Sequence, residues 1–191
     1  MIVDTRKASG SYYTPEPVVQ ALARWAIRHP TDRLLDPACG DGRFLAVHKR
    51  SVGIEHDRLA AALALRRAPG AVVHIGDFFD WAARTQERFD AAVGNPPFIR
   101  FQRFSGEVRE RALQLCSSFG ARFSSLTSSW APFLVGAATL FKPGGRMAFV
   151  VPAEIGHAPY AAPLVMFLVE NFSTVQVVAI REKIFRDLSE D

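Results

Sequence analysis

The chain has 191 residues, 49% hydrophobic and 22% charged, an ordinary balance for one globular domain that excludes disordered, collagen-like and fibrous classes. Lysine plus arginine (23) exceeds aspartate plus glutamate (19), for a net charge of +4, compatible with a polyanionic partner but too small to demonstrate one. Two cysteines, Cys39 and Cys116, exclude a disulfide scaffold and a four-cysteine zinc site, so a reducing cytoplasm and no bound metal are expected.

The opening MIVDTRKASG is charged and lacks the apolar run of a secretory signal. Thr14-Pro15-Glu16 reads as a helix start, with Thr14 as N-cap, Pro15 at the first helical position and Glu16 complementing the dipole; Val18, Val19, Leu22, Ala23 and Ala26 give an apolar face. Short apolar runs then alternate with segments of helical period. Strands are predicted over 33–36, 52–55, 71–75, 89–93, 146–151 and 175–180, with helices near 42–49, 57–67, 130–141 and 159–170. That alternation predicts an α/β fold: a doubly wound, mostly parallel, Rossmann-like sheet with right-handed crossovers. The stretch from Phe98 to Phe123 interleaves phenylalanines with arginines and reads as a substrate-facing loop followed by a helix. Phe123 to Phe141 carries no charge, yet its serines, Thr127 and Pro132 suit a buried helix better than a membrane span.

The first strand runs into Asp36-Pro37-Ala38-Cys39-Gly40-Asp41-Gly42-Arg43-Phe44, a turn whose glycines let a ligand approach the backbone. Phe44 and Leu45 stand where a dinucleotide fingerprint would need its third glycine, and the acidic Asp36 suits a cationic ligand such as a sulfonium better than a phosphate. A strand-to-helix turn without a ligand is the plainer alternative. Glu55 ends the second strand, where a carboxylate can accept from both ribose hydroxyls or simply be solvated. Asp77, before Phe78 and Phe79, pairs a carboxylate for an exocyclic amine with apolar edges for an adenine; a helix N-cap is its plainer alternative.

Asn95-Pro96-Pro97-Phe98 directly follows the fourth strand. Proline fixes its own φ and restricts its predecessor, so Asn95 and Pro96 are held with little freedom. The Asn95 side-chain oxygen and the Pro96 carbonyl can then accept both hydrogens of one planar amine, exposing a lone pair otherwise delocalised, while Phe98 offers a stacking face worth about 1–3 kcal/mol to a base. A Pro-Pro turn closing a strand is the alternative.

With these segments in order, together with Gly10-Ser11-Tyr12-Tyr13-Thr14-Pro15, Gly53-Ile54-Glu55 and Lys142-Pro143-Gly144-Gly145, nearly the whole chain resembles the adenine-N6 DNA methyltransferases of restriction–modification systems. It is similar to the amino-terminal catalytic domain of the group whose cofactor half precedes its catalytic half. The resemblance implies a class I methyltransferase fold that binds S-adenosylmethionine. Residues 1–30 would be a cofactor-binding helix segment and 31–191 the Rossmann-like core, with the last antiparallel strand and a target-recognition domain lying beyond the chain. The 191 residues alone would then not be a self-sufficient, sequence-specific enzyme.

Position by position, the resemblance implies that Tyr13, Thr14 and Pro15 hold the methionine end of the cofactor. Asp36 and Gly40 would line its middle, Glu55 the ribose, and Asp77 with Phe78 the adenine. Asn95, Pro96 and Phe98 would form the catalytic motif, with Phe98 and Phe185 stacking on a flipped adenine of double-stranded DNA. Ser128 departs from the acidic or amide residue common in relatives and receives no role. His48, His56, His74 and His157 are read as structural or solvated. A separate recognition segment, an endonuclease or a second chain are the partners implied, and no membrane. Glutamine methylation in a protein, and a non-catalytic cofactor-binding subunit or fragment, are the rival expectations.

Overall fold

The computed structural model describes residues 14–124 and 126–180. Five strands, β1 (Leu34–Asp36), β2 (Ser51–Glu55), β3 (Val72–Ile75), β4 (Phe89–Gly94) and β5 (Phe141–Phe149), form one sheet in the order β3-β2-β1-β4-β5. Every neighbouring pair is parallel. The chain therefore reverses direction of winding between β1 and β4, which opens a crevice at the carboxyl ends of those strands.

Among the described residues, six helices accompany the sheet: α1 (Glu16–Ala26), α2 (Arg58–Arg67), α3 (Phe78–Arg84), α4 (Gly106–Ser118), α5 (Trp130–Ala138) and α6 (Ala162–Asn171). Alternation along the strands decides what each face buries. Leu34, Ala91 and Val93 pack with Val19 and Ala26 of α1, and with Phe44. Leu35, Ala92, Val52 and Ile54 face the other way, into a core shared with Phe78, Phe79, Phe104, Phe133 and Ala137. Helix α5 joins that core to a second one on its far side, where Trp130, Leu134 and Val135 meet Leu164, Phe167 and Leu168. Buried all round, α5 is the uncharged run that suited a core helix better than a membrane span, and no helix of the described residues is long and apolar enough to cross a membrane.

Four expectations are corrected. Residues 175–180 form no strand: Val177 and Val178 are 62% and 80% exposed, and β-branched propensity does not hold an extended segment that pairs with no strand among the described residues. Residues 42–49 give only one 3-10 turn, Leu45–Val47, since two glycines with positive φ precede it. The N-terminal helix is capped at Pro15, one residue later than expected, without a side-chain cap from Thr14. Finally, α5 stops at Ala138, and Phe141, expected to end it, starts β5.

Candidate active site

A cavity of about 460 Å³ occupies the crevice and is lined by Thr14, Asp36, Gly40, Glu55, Asp77, Phe78 and Asn95, among others. Seven residues singled out from sequence segments up to 81 positions apart thus share one wall-to-wall space. Pro15, Pro96 and Phe98 stand outside that lining. Pro96 is buried between the lining residues Asn95 and Pro97, and Phe98 packs against the second core. Tyr13 and Phe185 lie outside the described residues.

The turn after β1 is held from within. Gly42 has φ of +82°, and a Cβ there would meet the Cα of Ala64 in α2 at 2.7 Å, so only glycine lets the turn lie against that helix. The Gly40 N–H donates to Glu55 Oε2 at 2.9 Å, and the Asp57 N–H donates to Glu55 Oε1 at 2.8 Å. The His56 ring lies 3.0 Å from the same Oε1. Burial alone would raise the Glu55 carboxyl, but the contacts from His56, Asp57 and Gly40 hold it below the ordinary carboxylate range. A preformed, ionised carboxylate therefore faces the cavity.

Asp36 is its opposite. Only 1% exposed, it receives the Ala38 N–H at 3.1 Å. Burial, chiefly, pushes its carboxyl up to about 8; the Ala38 bond opposes this, while the negative charges of Glu55 and Asp41 add to it. The adjoining Gly94, at the end of β4, leaves space for this carboxylate, because a Cβ would sit 2.8 Å from Asp36 Oδ1. Excess negative charge around a buried acid is the electrostatic condition that a cationic ligand relieves.

Asp77 caps α3, its Oδ1 accepting the Asp80 N–H at 2.9 Å, and so fulfils the plainer expectation while also lining the cavity. Its neighbours Phe78 and Phe79 are buried and close an apolar end with Ile99, Phe104, Val108 and Phe133. The loop-then-helix expected after Phe98 is present, and Phe104 with Val108 of α4 brings it to the cavity. Sequence reasoning did not single out Phe133 or Ser129, whose apolar, uncharged surroundings look like core. His56 was read as structural or solvated; it directly follows Glu55 in the sequence, and the structure turns its ring back onto the Glu55 carboxylate.

The comparisons with known proteins find methyltransferases of more than one substrate class. The type II methyltransferase M.CvrRI of Paramecium bursaria Chlorella virus XZ-6E is 25% identical over 189 residues, 94% of this chain and 46% of the viral protein. The type II methyltransferase M.TthHB8I of Thermus thermophilus is 29% identical over 161 residues, 77% of this chain and 35% of the other. The chain therefore spans less than half the length of either relative. A solved class I S-adenosylmethionine-dependent methyltransferase from Listeria monocytogenes shares the fold, with a TM-score of 0.66 at 20% identity over 84% of this chain and 53% of that one. Residues 61–185 match the model of the Eco57I restriction-modification methylase, and the chain belongs to that family.

Proposed function

We propose that the chain transfers methyl from S-adenosylmethionine to the N6 amine of adenine in DNA, as the catalytic domain of a restriction–modification methyltransferase acting in the cytoplasm. The observation that carries this reading is the single cavity that joins Asp36, Glu55 and Asp77, at three strand ends, to Asn95 of the loop after β4. Family membership and the two type II relatives support it.

The residues present fit the cofactor. A cavity of about 460 Å³ is in the range for a ligand of this size. The ionised Glu55 suits two ribose hydroxyls. Asp77 beside the apolar end suits an adenine amine and ring, and the buried, proton-holding Asp36 suits the positively charged sulfonium region. Thr14, with Tyr13 and Pro15, takes the methionine end. S-adenosylmethionine supplies an electrophilic methyl group on a sulfur that leaves with its bonding pair.

The chain's own part is to present the nucleophile. The Asn95 side-chain oxygen and the Pro96 carbonyl accept the two hydrogens of the target amine, so its nitrogen rehybridises and turns a lone pair toward the cavity. The nitrogen's surplus proton then passes to solvent, and no strong base is needed. Phe98, held against the second core, stacks on the adenine flipped from the duplex, with Phe185 on the other face. Methylation at N6 leaves pairing intact and adds a group to the major groove, where base edges are read. Target choice needs base-edge contacts, for which a recognition segment or a second chain is the partner proposed, and residues 1–30 contribute the cofactor-binding helix segment.

Radioactive methyl transfer by the full-length protein to duplex DNA, to protein acceptors and with no acceptor tests the reading. Labelled N6-methyladenine in the DNA arm is expected. Label confined to protein glutamine, or in neither arm, would replace it with one of its rivals.

A further inference from the structure

The loop after β4 meets the start of α5 through one side chain. Ser129, 1% exposed and lining the cavity, accepts the Ile99 N–H on its Oγ at 2.9 Å and donates the same hydroxyl to the Pro97 carbonyl. Its own N–H donates to the Ile99 carbonyl at 3.0 Å. A hydroxyl is the smallest group that can accept and donate at one atom. The bracket spans Pro97 to Ile99, two residues of the cavity lining on either side of Phe98, whose ring packs against the second core.

We propose that Ser129 is a positioning residue for methyl transfer: its hydroxyl fixes the Asn95-Pro96-Pro97-Phe98 loop and thereby aims the Asn95 carboxamide and the Phe98 ring at the acceptor. This rests on the function proposed above. The transmission is covalent and stiff, because Pro96 and Pro97, both with φ fixed by their rings, lie between the bracketed carbonyl and Asn95. Cofactor contacts do not pass through the bracket: Glu55, Asp36 and Asp77 are held by the N–H groups of residues 38, 40, 57 and 80. Ser129 should therefore act on turnover and leave cofactor affinity alone.

Ser129→Ala removes both hydroxyl bonds but keeps the backbone bond to Ile99, so the loop loosens without losing its attachment. Ser129→Thr retains the hydroxyl. In the full-length protein, Ser129→Ala is expected to lower kcat about 10²-fold, the size of effect that follows a misplacement near 1 Å, with Kd for S-adenosylmethionine unchanged. Ser129→Thr is expected to restore most of the loss. Hydrogen exchange provides a readout independent of catalysis: the Ile99 amide should be protected in the wild type and in Ser129→Thr, and fast in Ser129→Ala. Wild-type kcat in Ser129→Ala, a parallel loss of cofactor affinity, or an unprotected Ile99 amide in the wild type would overturn the assignment. Absence of methyl transfer to DNA by the wild type would instead remove the underlying reading, with the exchange data still deciding whether the hydroxyl holds the loop.

Discussion

Both sides of the cavity end in short loops after parallel strands, but the forces that shape them differ in range. After β1, Gly40 and Ala38 donate to carboxylates no more than 15 positions away, and a positive-φ glycine sets the turn against α2. After β4, the loop is held from much further along the chain: Pro97 and Ile99 are tied to Ser129, 32 and 30 positions later. The first side concentrates negative charge around a ligand site, whereas the second presents neutral oxygens and an aromatic ring. One arrangement suits a cation that must be held, the other a neutral amine that must be turned.

The contrast is broken most directly at Asn95. If the second side serves only the acceptor, Asn95→Ala should reduce kcat about 10²–10³-fold, the loss that follows removal of one preorganised transition-state partner, while calorimetry shows an unchanged cofactor Kd. Loss of affinity and turnover together would mean that the two sides do not divide the work, and near-normal turnover would dispose of the proposed chemistry.

Asp36 sharpens the same contrast through pH. Its carboxyl keeps a proton up to about 8, whereas a cation beside it favours the ionised form. Binding below that value then releases one proton, so cofactor affinity should rise about tenfold per pH unit between 6 and 7 and level off above 8. Without ligand the sign reverses. The unfolded carboxyl ionises near 3.8 while the folded one retains its proton, so stability should fall as pH rises from 4 to 8. Asp36→Asn should flatten both curves; a wild-type affinity that does not change with pH would show that no positive charge settles there.

The difference in range also explains what the sequence revealed. Asp36, Gly40, Glu55 and Asp77 were legible because strand ends, glycines and a cap mark them within a few residues, and the parallel register brings Asp36 opposite Gly53 and Glu55 opposite Ile75. Asn95 was legible because two prolines follow it. Ser129 and Phe133 were not, since their role depends on α5 being threaded past the loop after β4, a packing relation that leaves no local pattern. The strand expected at 175–180 failed for the converse reason: its residues carry strand propensity, but propensity needs a neighbour to bond with.

The finest distinction falls on Asp77, which both readings of the sequence claim. Its Oδ1 caps α3 through the Asp80 N–H, and the same residue lines the apolar end of the cavity. Asn caps a helix about as well as Asp, whereas Ala costs about 1 kcal/mol. Asp77→Asn should thus unfold at the wild-type denaturant midpoint, and Asp77→Ala should be less stable by about that amount. For the cofactor the pattern changes, because an adenine amine needs an acceptor and the Asn side chain places an NH₂ group where one carboxylate oxygen stood. Both variants should weaken S-adenosylmethionine binding, by about 1–3 kcal/mol for a lost hydrogen bond to a buried polar group, and neither should bind a cofactor analogue lacking the 6-amino group less well than the wild type does, beyond the stability difference. If Asp77→Asn keeps full affinity for S-adenosylmethionine, Asp77 serves the helix alone, and recognition of the adenine falls to the apolar enclosure of Phe78, Phe104 and Phe133.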